Sequence, residues 1–305
     1  MRVRIAVPAT AANLGPGFDV LALALELQNE VEAERTGEAG ISVDPGPGAP
    51  PELCDPARNL VVRAYTAACA ELGAPADGVH IRCVNRIPFR RGLGSSAAAA
   101  LGGTLVATAL NGAPWDEHSI IDFVSGLEGH PDNAAAALLG GLVVVTPGAP
   151  AVTMDVPEEL CAVVFVPDLE LETALARRVV AGAFTRADAV HNAARCALFI
   201  RAIATRDWPT LRWAMEDRWH QPPRSALYPA MPELIAGALE GGACGAALSG
   251  AGPAVIALVA GAPEAVQEGF MRAASRCDLR GRSFVSRVRN FGARVDLSGE
   301  QREAV

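Results

Sequence analysis

Residues 90–110, RRGLGSSAAAALGGTLVATAL, set Gly92 and Gly94 between two arginines and two serines and run directly into an alanine-rich segment. The alanine run has the character of a helix, and Ser95 and Ser96 stand where an N-cap is expected. Glycines just ahead of it let the backbone come close to a ligand, and the free N–H groups and dipole of a helix start favour an anion. Taken alone, the stretch fits a phosphate-binding turn and an ordinary strand-to-helix turn equally well.

Spacing and composition narrow the kinds of phosphate loop this can be. Lys and Arg total 26, and every one of them is arginine, so the chain contains no lysine. A Walker-type P-loop, a protein-kinase strand lysine and a pyridoxal Schiff base are therefore excluded. A dinucleotide fingerprint would use Gly92, Gly94 and Ala97, but no acidic residue follows about 20 residues on after a second strand. A nucleophile elbow fails because Ala98 stands where its second glycine belongs. What remains is a phosphate loop without lysine.

The 305 residues, half of them hydrophobic, are enough for a large core in two lobes. Residues 2–8 alternate as a strand ending at Pro8. After a glycine-rich turn, Leu21, Leu23, Leu25, Leu27 and Val31 recur at period two along a long strand. Proline and glycine mark 39–56 as an exposed loop. Helices are predicted over 59–72, 95–110, 115–128 and 132–139, with strands over 78–88 and 140–146. A Pro/Gly hinge near 147–151 separates residues 1–150 from 151–305. The second part predicts a strand over 160–167, helices over 173–181, 186–204, 208–216, 230–240 and 263–275, and strands over 244–248, 254–260 and 283–289. Strands and helices mix without strict alternation, which is an α+β class.

Net charge is −8 and the arginines are scattered, which argues against nucleic acid as a partner. Seven cysteines, dispersed in apolar surroundings, read as reduced packing residues of a cytoplasmic protein. No zinc spacing occurs, and no apolar stretch is long enough to cross a membrane.

PFRRGLGSSAAAA, residues 88–100, resembles the phosphate loop of the GHMP small-molecule kinases. VPATAANLGPGFDVLALAL near the N-terminus and GACGAALSGAGPAVIAL at 242–258 resemble the first and third motifs of that superfamily. EGHPDNAAAALLGG, TALAR and HQPPRSALYP are similar to its homoserine kinase branch. The resemblance covers essentially the whole chain and departs from the usual pattern at Ala11, Ala22 and Pro223, where serine, glycine and tyrosine are usual. It implies a two-lobed fold, with a ribosomal-protein-S5-like N-terminal lobe and a ferredoxin-like C-terminal lobe. The implied activity is ATP- and Mg²⁺-dependent phosphorylation of homoserine on the route to threonine, by a homodimer. A variant of this implication keeps the fold but takes another hydroxylated amino acid or small alcohol. A member that had lost catalysis would be expected to lose the loop or Glu128, and both are kept.

By the same resemblance Pro88, Arg91, Gly92, Leu93, Gly94, Ser95, Ser96, Ala97 and Ala98 hold ATP, and Ser96 and Glu128 complete the Mg²⁺ shell. One hydroxyl, one carboxylate and phosphate oxygens suffice for this ion. Without lysine, phosphate charge falls to Mg²⁺, the helix dipole and the nearest arginine, Arg91. A homoserine-like acceptor needs a guanidinium for its carboxylate and an acid for its ammonium. Arg177 and Arg224 match the former, Asp19 the latter, and Asn13 an acceptor contact. Asp132 and Asn133 match the superfamily's catalytic pair, although the basic residue expected near Thr10 is missing. His130 and His220 are expected to bond backbone near the site.

Overall fold

The computed structural model describes residues 1–113, 115–180, 184–297 and 300–303. Strands β1 (Arg2–Asn13) and β2 (Gly17–Arg35) form a long antiparallel hairpin. Pro8 does not end β1: it coincides with a register shift between Pro8 and Ala9, which tolerates a residue without an N–H. The stretch 39–56, expected as loop, contains β3 (Ile41–Asp44) and a 3-10 turn over Pro51–Cys54. Between Gly40 and Pro45, four residues carry too little alternation to stand out.

Helix α1 (Leu60–Glu71) is capped by Asn59, whose side chain accepts from the Val61 and Val62 N–H groups. β4 (Val79–Val84) pairs with β2 antiparallel and with β3 in parallel. There follow α2 (Ser95–Asn111), α3 (Glu117–Glu128), capped by Asp116, and α4 (Asp132–Leu139). The predicted serine cap of α2 is displaced: Gly94 is the N-cap, without a capping side chain, and Ser95 and Ser96 lie in the first turn.

Residues 147–151, expected as a hinge, include the tight turn between β5 (Leu142–Thr146) and β6 (Ala149–Met154), which pair antiparallel. The expected division at residue 150 thus falls inside a strand. The second sheet has β7 (Cys161–Pro167), followed by α5 (Thr173–Arg178), α6 (Arg186–Thr205), α7 (Leu211–Ala214), α8 (Gln221–Ser225) and α9 (Met231–Glu240). Of the helix expected over 173–181, residue 181 lies outside the described residues. The helix expected over 208–216 is instead a 3-10 turn and α7, because Pro209 suits a helix start and not an interior. α8 is not among the expected helices; it begins at Gln221, followed by Pro222 and Pro223.

β8 (Gly245–Leu248), β9 (Val255–Val259), α10 (Pro263–Arg276) and β10 (Gly281–Arg287) complete the second lobe. Its strand order is β10-β7-β9-β8, the split βαβ arrangement of ferredoxin-like domains. Alternate residues of this sheet face opposite ways. Val163 and Phe165 pack under α9 and α10 with Leu234 and Phe270, while Ala162 and Val164 join the core that runs into the first lobe.

The chain then goes back to the first sheet. β11 (Arg294–Leu297) pairs with β1, and β12 (Glu300–Glu303) pairs with β11. The first sheet therefore draws on both ends of the chain, in the order β12-β11-β1-β2-β4-β3, with β5 attached to β2 and β6 to β5.

Candidate active site

Gly92 and Gly94 have φ of 75° and 69°, in the left-handed region. A Cβ on Gly92 would lie 2.3 Å from the Ser249 carbonyl oxygen, and one on Gly94 would lie 2.0 Å from Thr10 Oγ1. Both positions demand glycine for conformation and for space. Neighbouring elements hold the loop in place. Ser249 Oγ donates to the Gly92 carbonyl at 2.6 Å, Ala254 N–H to the Arg91 carbonyl at 3.0 Å and Thr10 N–H to the Leu93 carbonyl at 3.2 Å. Leu93 is buried, and the small Ala97 and Ala98 are buried behind the first turn of α2. Pro88, half-buried, stands in the segment leading from β4 to the loop. Ala98 N–H reaches back to the Gly94 carbonyl, and no side chain caps the N–H groups ahead of it. The loop is a rigid cradle opening onto an uncapped helix start.

Ser96 Oγ lies 2.8 Å from Glu128 Oε1, to which it donates. Glu128 is the last residue of α3. Two hard oxygen donors beside a phosphate cradle fit Mg²⁺, which takes few protein ligands and shares phosphate oxygens. Among the described residues, no cluster of three or more His, Cys, Asp or Glu competes for a metal. Next to this pair is an open cavity of about 680 Å³, lined by Ile41, Leu60, Ala64, Ala67, Ser96 and Glu128 among others. It is mostly apolar with a polar end, and it was not anticipated because its walls come from β3, α1 and α3.

Arg91 departs from expectation. Its guanidinium donates to the Asp168 carbonyl at 3.2 Å and lies 3.3 Å from Glu170 Oε1. Its charge is already matched by the second lobe, so it is not an uncommitted cation for phosphate.

Asp132 and Asn133, at the start of α4, are buried together. Thr10 Oγ1 donates to Asn133 Oδ1 at 2.7 Å, while Asn133 Nδ2 donates to Asp132 Oδ1 at 3.1 Å. His130 Nδ1 lies 3.0 Å from the same Asp132 oxygen. Burial disfavours charge on His130, but the hydrogen bond and charge of Asp132 outweigh it and raise its pKa, against the opposing charge of Arg177. His130 thus bonds a carboxylate and not backbone. Thr10 has the place where a basic residue was expected, and its role in holding the pair was not foreseen.

The four proposed acceptor residues converge beside this network. Asn13 donates to the Gly250 carbonyl at 2.8 Å and accepts from Asp19 N–H at 3.1 Å. Arg177 Nη1 and Nη2 bond the two Asp19 oxygens at 3.0 and 2.6 Å. Arg224 is 1% exposed. It donates to the carbonyls of Ala176 and Gly250, at 3.1 and 3.0 Å, and to His220 Nδ1 at 2.9 Å. Among the described residues no carboxylate lies within ion-pair distance of it. Burial, then the charge of Arg177, push its pKa down to about 10, which leaves it charged at neutral pH.

His220 accepts from Arg224, so its proton is on Nε2, which donates to the Gly15 carbonyl at 2.7 Å. Burial pushes its pKa down to about 4. It bonds backbone as expected. Phe18 also belongs to this site, its ring centroid 5.4 Å from Arg177 Cζ and 5.3 Å from Arg224 Cζ. Its place beside Asp19 in the first motif was the available signal.

Comparison with known proteins bears directly on this geometry. The family models GHMP kinases N terminal domain and GHMP kinases C terminal match residues 59–141 and 199–275. A homoserine kinase from a Synechococcus species is 37% identical over 98% of this chain and all of its own length. The chain belongs to the homoserine kinase family of the GHMP kinases. A Thermus thermophilus member is 40% identical, covering 86% of this chain and 88% of that protein. The crystal structure of homoserine kinase from Cytophaga hutchinsonii superposes with a TM-score of 0.86 at 26% identity, over 97% of both chains. A mevalonate kinase at 17% identity, with a TM-score of 0.68 over 94% of this chain and 99% of that one, shares the fold. The two-lobed α+β GHMP kinase fold and phosphotransferase class expected from the motifs both hold.

Proposed function

We propose that the chain transfers the γ-phosphoryl group of ATP to the side-chain hydroxyl of L-homoserine, giving O-phospho-L-homoserine. The observation that carries the acceptor side of this reading is Arg224, a buried guanidinium with no carboxylate partner among the described residues, near an acid, a second arginine and the Asp132–Asn133 pair. A buried lone cation is costly unless an anion completes it. An α-carboxylate does so, and Asp19 suits an α-ammonium. The homoserine kinases this chain resembles support the same assignment.

In this reading the backbone of Gly92–Ala98 cradles the triphosphate, and the apolar cavity beside α1 takes the nucleoside. Ser96 and Glu128 hold Mg²⁺, whose chemistry here is to offset phosphate charge in a chain without lysine. Asn133, steadied by Thr10 and Asp132, orients the acceptor hydroxyl. Phosphoryl transfer through a loose transition state depends mainly on positioning and charge, so Asp132 serves to orient and not as an obligatory base.

A coupled ADP-release assay with homoserine, serine, threonine, mevalonate and galactose tests the reading, with homoserine expected to give the highest kcat/KM. A preference for another amino acid would support the second reading, for which Pro223, adjacent to the acceptor arginine, is the motive. The same reading makes the enzyme a cytoplasmic homodimer acting on small molecules only, an assembly that analytical ultracentrifugation checks.

A further inference from the structure

We infer that the Asp19–Arg177 ion pair is a charge latch across the acceptor pocket, which an acceptor opens only by supplying both an α-ammonium and an α-carboxylate. The inference rests on the reading of this pocket as an amino-acid site. In the structure, the two groups assigned to opposite ends of the substrate are bound to each other through two hydrogen bonds. Both side chains are 32% exposed, so the pair is reachable from solvent and open to exchange. Arg224 is the contrasting element: deeply buried, bonded to two carbonyls and a neutral imidazole, and without a carboxylate partner among the described residues.

Charge matching then decides which acceptors are accepted. A carboxylate-only alcohol can meet Arg224, but to gain Arg177 it must leave Asp19 bare. An amine-only alcohol must take Asp19 from Arg177, leaving two arginines beside the Phe18 ring with no anion between them. A zwitterion replaces the internal pair with two: its ammonium satisfies Asp19 and its carboxylate satisfies both guanidinium groups. No charge is left uncompensated. The Asp19 half is fixed in position by a left-handed backbone, φ 57°, and by its N–H bond to Asn13. Arg177 projects from the last turn of the six-residue helix α5.

The test is a double-mutant cycle read by calorimetry on the full chain. The probes are homoserine, 4-hydroxybutyrate, which lacks the ammonium, and 3-amino-1-propanol, which lacks the carboxylate. Asn tolerates the left-handed backbone at position 19, so Asp19→Asn is the variant of choice, with circular dichroism melts as the control for folding. Asp19→Asn is expected to weaken homoserine by roughly a hundredfold. The same substitution should strengthen 4-hydroxybutyrate by about fivefold, the worth of a partly exposed ion pair. Arg177→Gln should strengthen 3-amino-1-propanol by a similar factor.

The gain for 4-hydroxybutyrate must vanish when Arg177→Gln is combined with Asp19→Asn. A gain that survives in the double variant would mean that removal of a negative charge, and not release of Arg177, is responsible. An absent gain, including undetectable binding of 4-hydroxybutyrate to Asp19→Asn, also overturns the latch. If the unmodified enzyme phosphorylates homoserine and the cycle fails, only the latch falls. If it does not turn over homoserine, the acceptor reading falls, and the two analogue gains still decide whether the pair acts as a latch.

Discussion

The proposed nucleotide and acceptor ends of the candidate site are built from different materials. The nucleotide end is backbone: two left-handed glycines, an uncapped helix start and small alanines, with a single hydroxyl–carboxylate pair at its mouth. The acceptor end is side chains: one buried arginine, one ion pair and a buried polar network contributed by β1, β2, α4, α5 and α8. An anion of fixed shape can be bound by peptide N–H groups that the local chain presents in order. A zwitterion needs opposite charges at set places, and only side chains supply those. The nucleotide end should therefore fail through steric intrusion, and the acceptor end through loss of charge.

The largest expected effect is at Gly94. Gly94→Val adds a Cβ into Thr10 Oγ1 and a β-branch on a left-handed backbone. It should abolish binding of a non-hydrolysable ATP analogue in calorimetry. If nucleotide affinity is retained, the cradle is wrongly assigned.

Next comes Arg224→Ala, which should weaken homoserine by about 2 to 5 kcal/mol, the usual loss for one partner of a desolvated charge pair. ATP-analogue binding should change little. Equal loss for both ligands would erase the distinction between the two ends.

Asp132→Asn lies between them, since Asp132 steadies Asn133 within the network that reaches Thr10. Turnover should fall by roughly 10²-fold and by less than the ~10⁴-fold limit of general-base help. Asn133→Leu should be comparably harmful. A folded Asp132→Asn enzyme with no measurable turnover would make Asp132 a true base.

Glu128→Gln and Ser96→Ala should each raise the Mg²⁺ concentration for half-maximal rate by up to about tenfold, with the larger effect at the charged ligand. Unchanged titrations in both would remove the metal from this pair.

The remaining effect is on stability against pH. His220 is buried and its pKa lies near 4, below the ordinary value of 6.5. As pH falls from 6.5 toward 4, the unfolded chain takes up a proton that the folded chain refuses, so stability falls by at most about 1.4 kcal/mol per pH unit. His191, also lowered chiefly by burial, acts in the same direction. His130, with a raised pKa, acts oppositely: its contribution is complete below 6.5 and is lost as pH rises. The difference between urea melts of the parent and His220→Gln isolates the first contribution. A pH-independent difference would refute it.

Much of this was legible before the structure. The glycine-rich turn ahead of α2, most helices and the second sheet's strands follow from motifs and periodicity, whereas the grouping of Asn13, Asp19, Arg177 and Arg224 was implied only by the family resemblance. Less legible were elements whose identity depends on a partner. β3, at the sheet edge, and β11, between β1 and β12, are four-residue strands that exist through pairing with their neighbours. α8 is a single turn held by Asp217, whose Oδ2 accepts from the His220 and Gln221 N–H groups. The stretch 147–151 includes a hairpin turn where a hinge was expected, because Pro and Gly signal a turn equally well inside a hairpin.

Sequence by itself determined the lysine-free loop, because glycine conformation and helix-start N–H groups are properties of consecutive residues. Only the tertiary structure decided which charges are already matched. Arg91 is drawn to the Glu170 carboxylate and the Asp168 carbonyl, Arg177 to Asp19, which is 158 positions away, and Arg224 is left buried with no counter-ion among the described residues. Coulomb attraction and desolvation depend on distance and burial in space. Neither quantity exists along the chain until the lobes have packed.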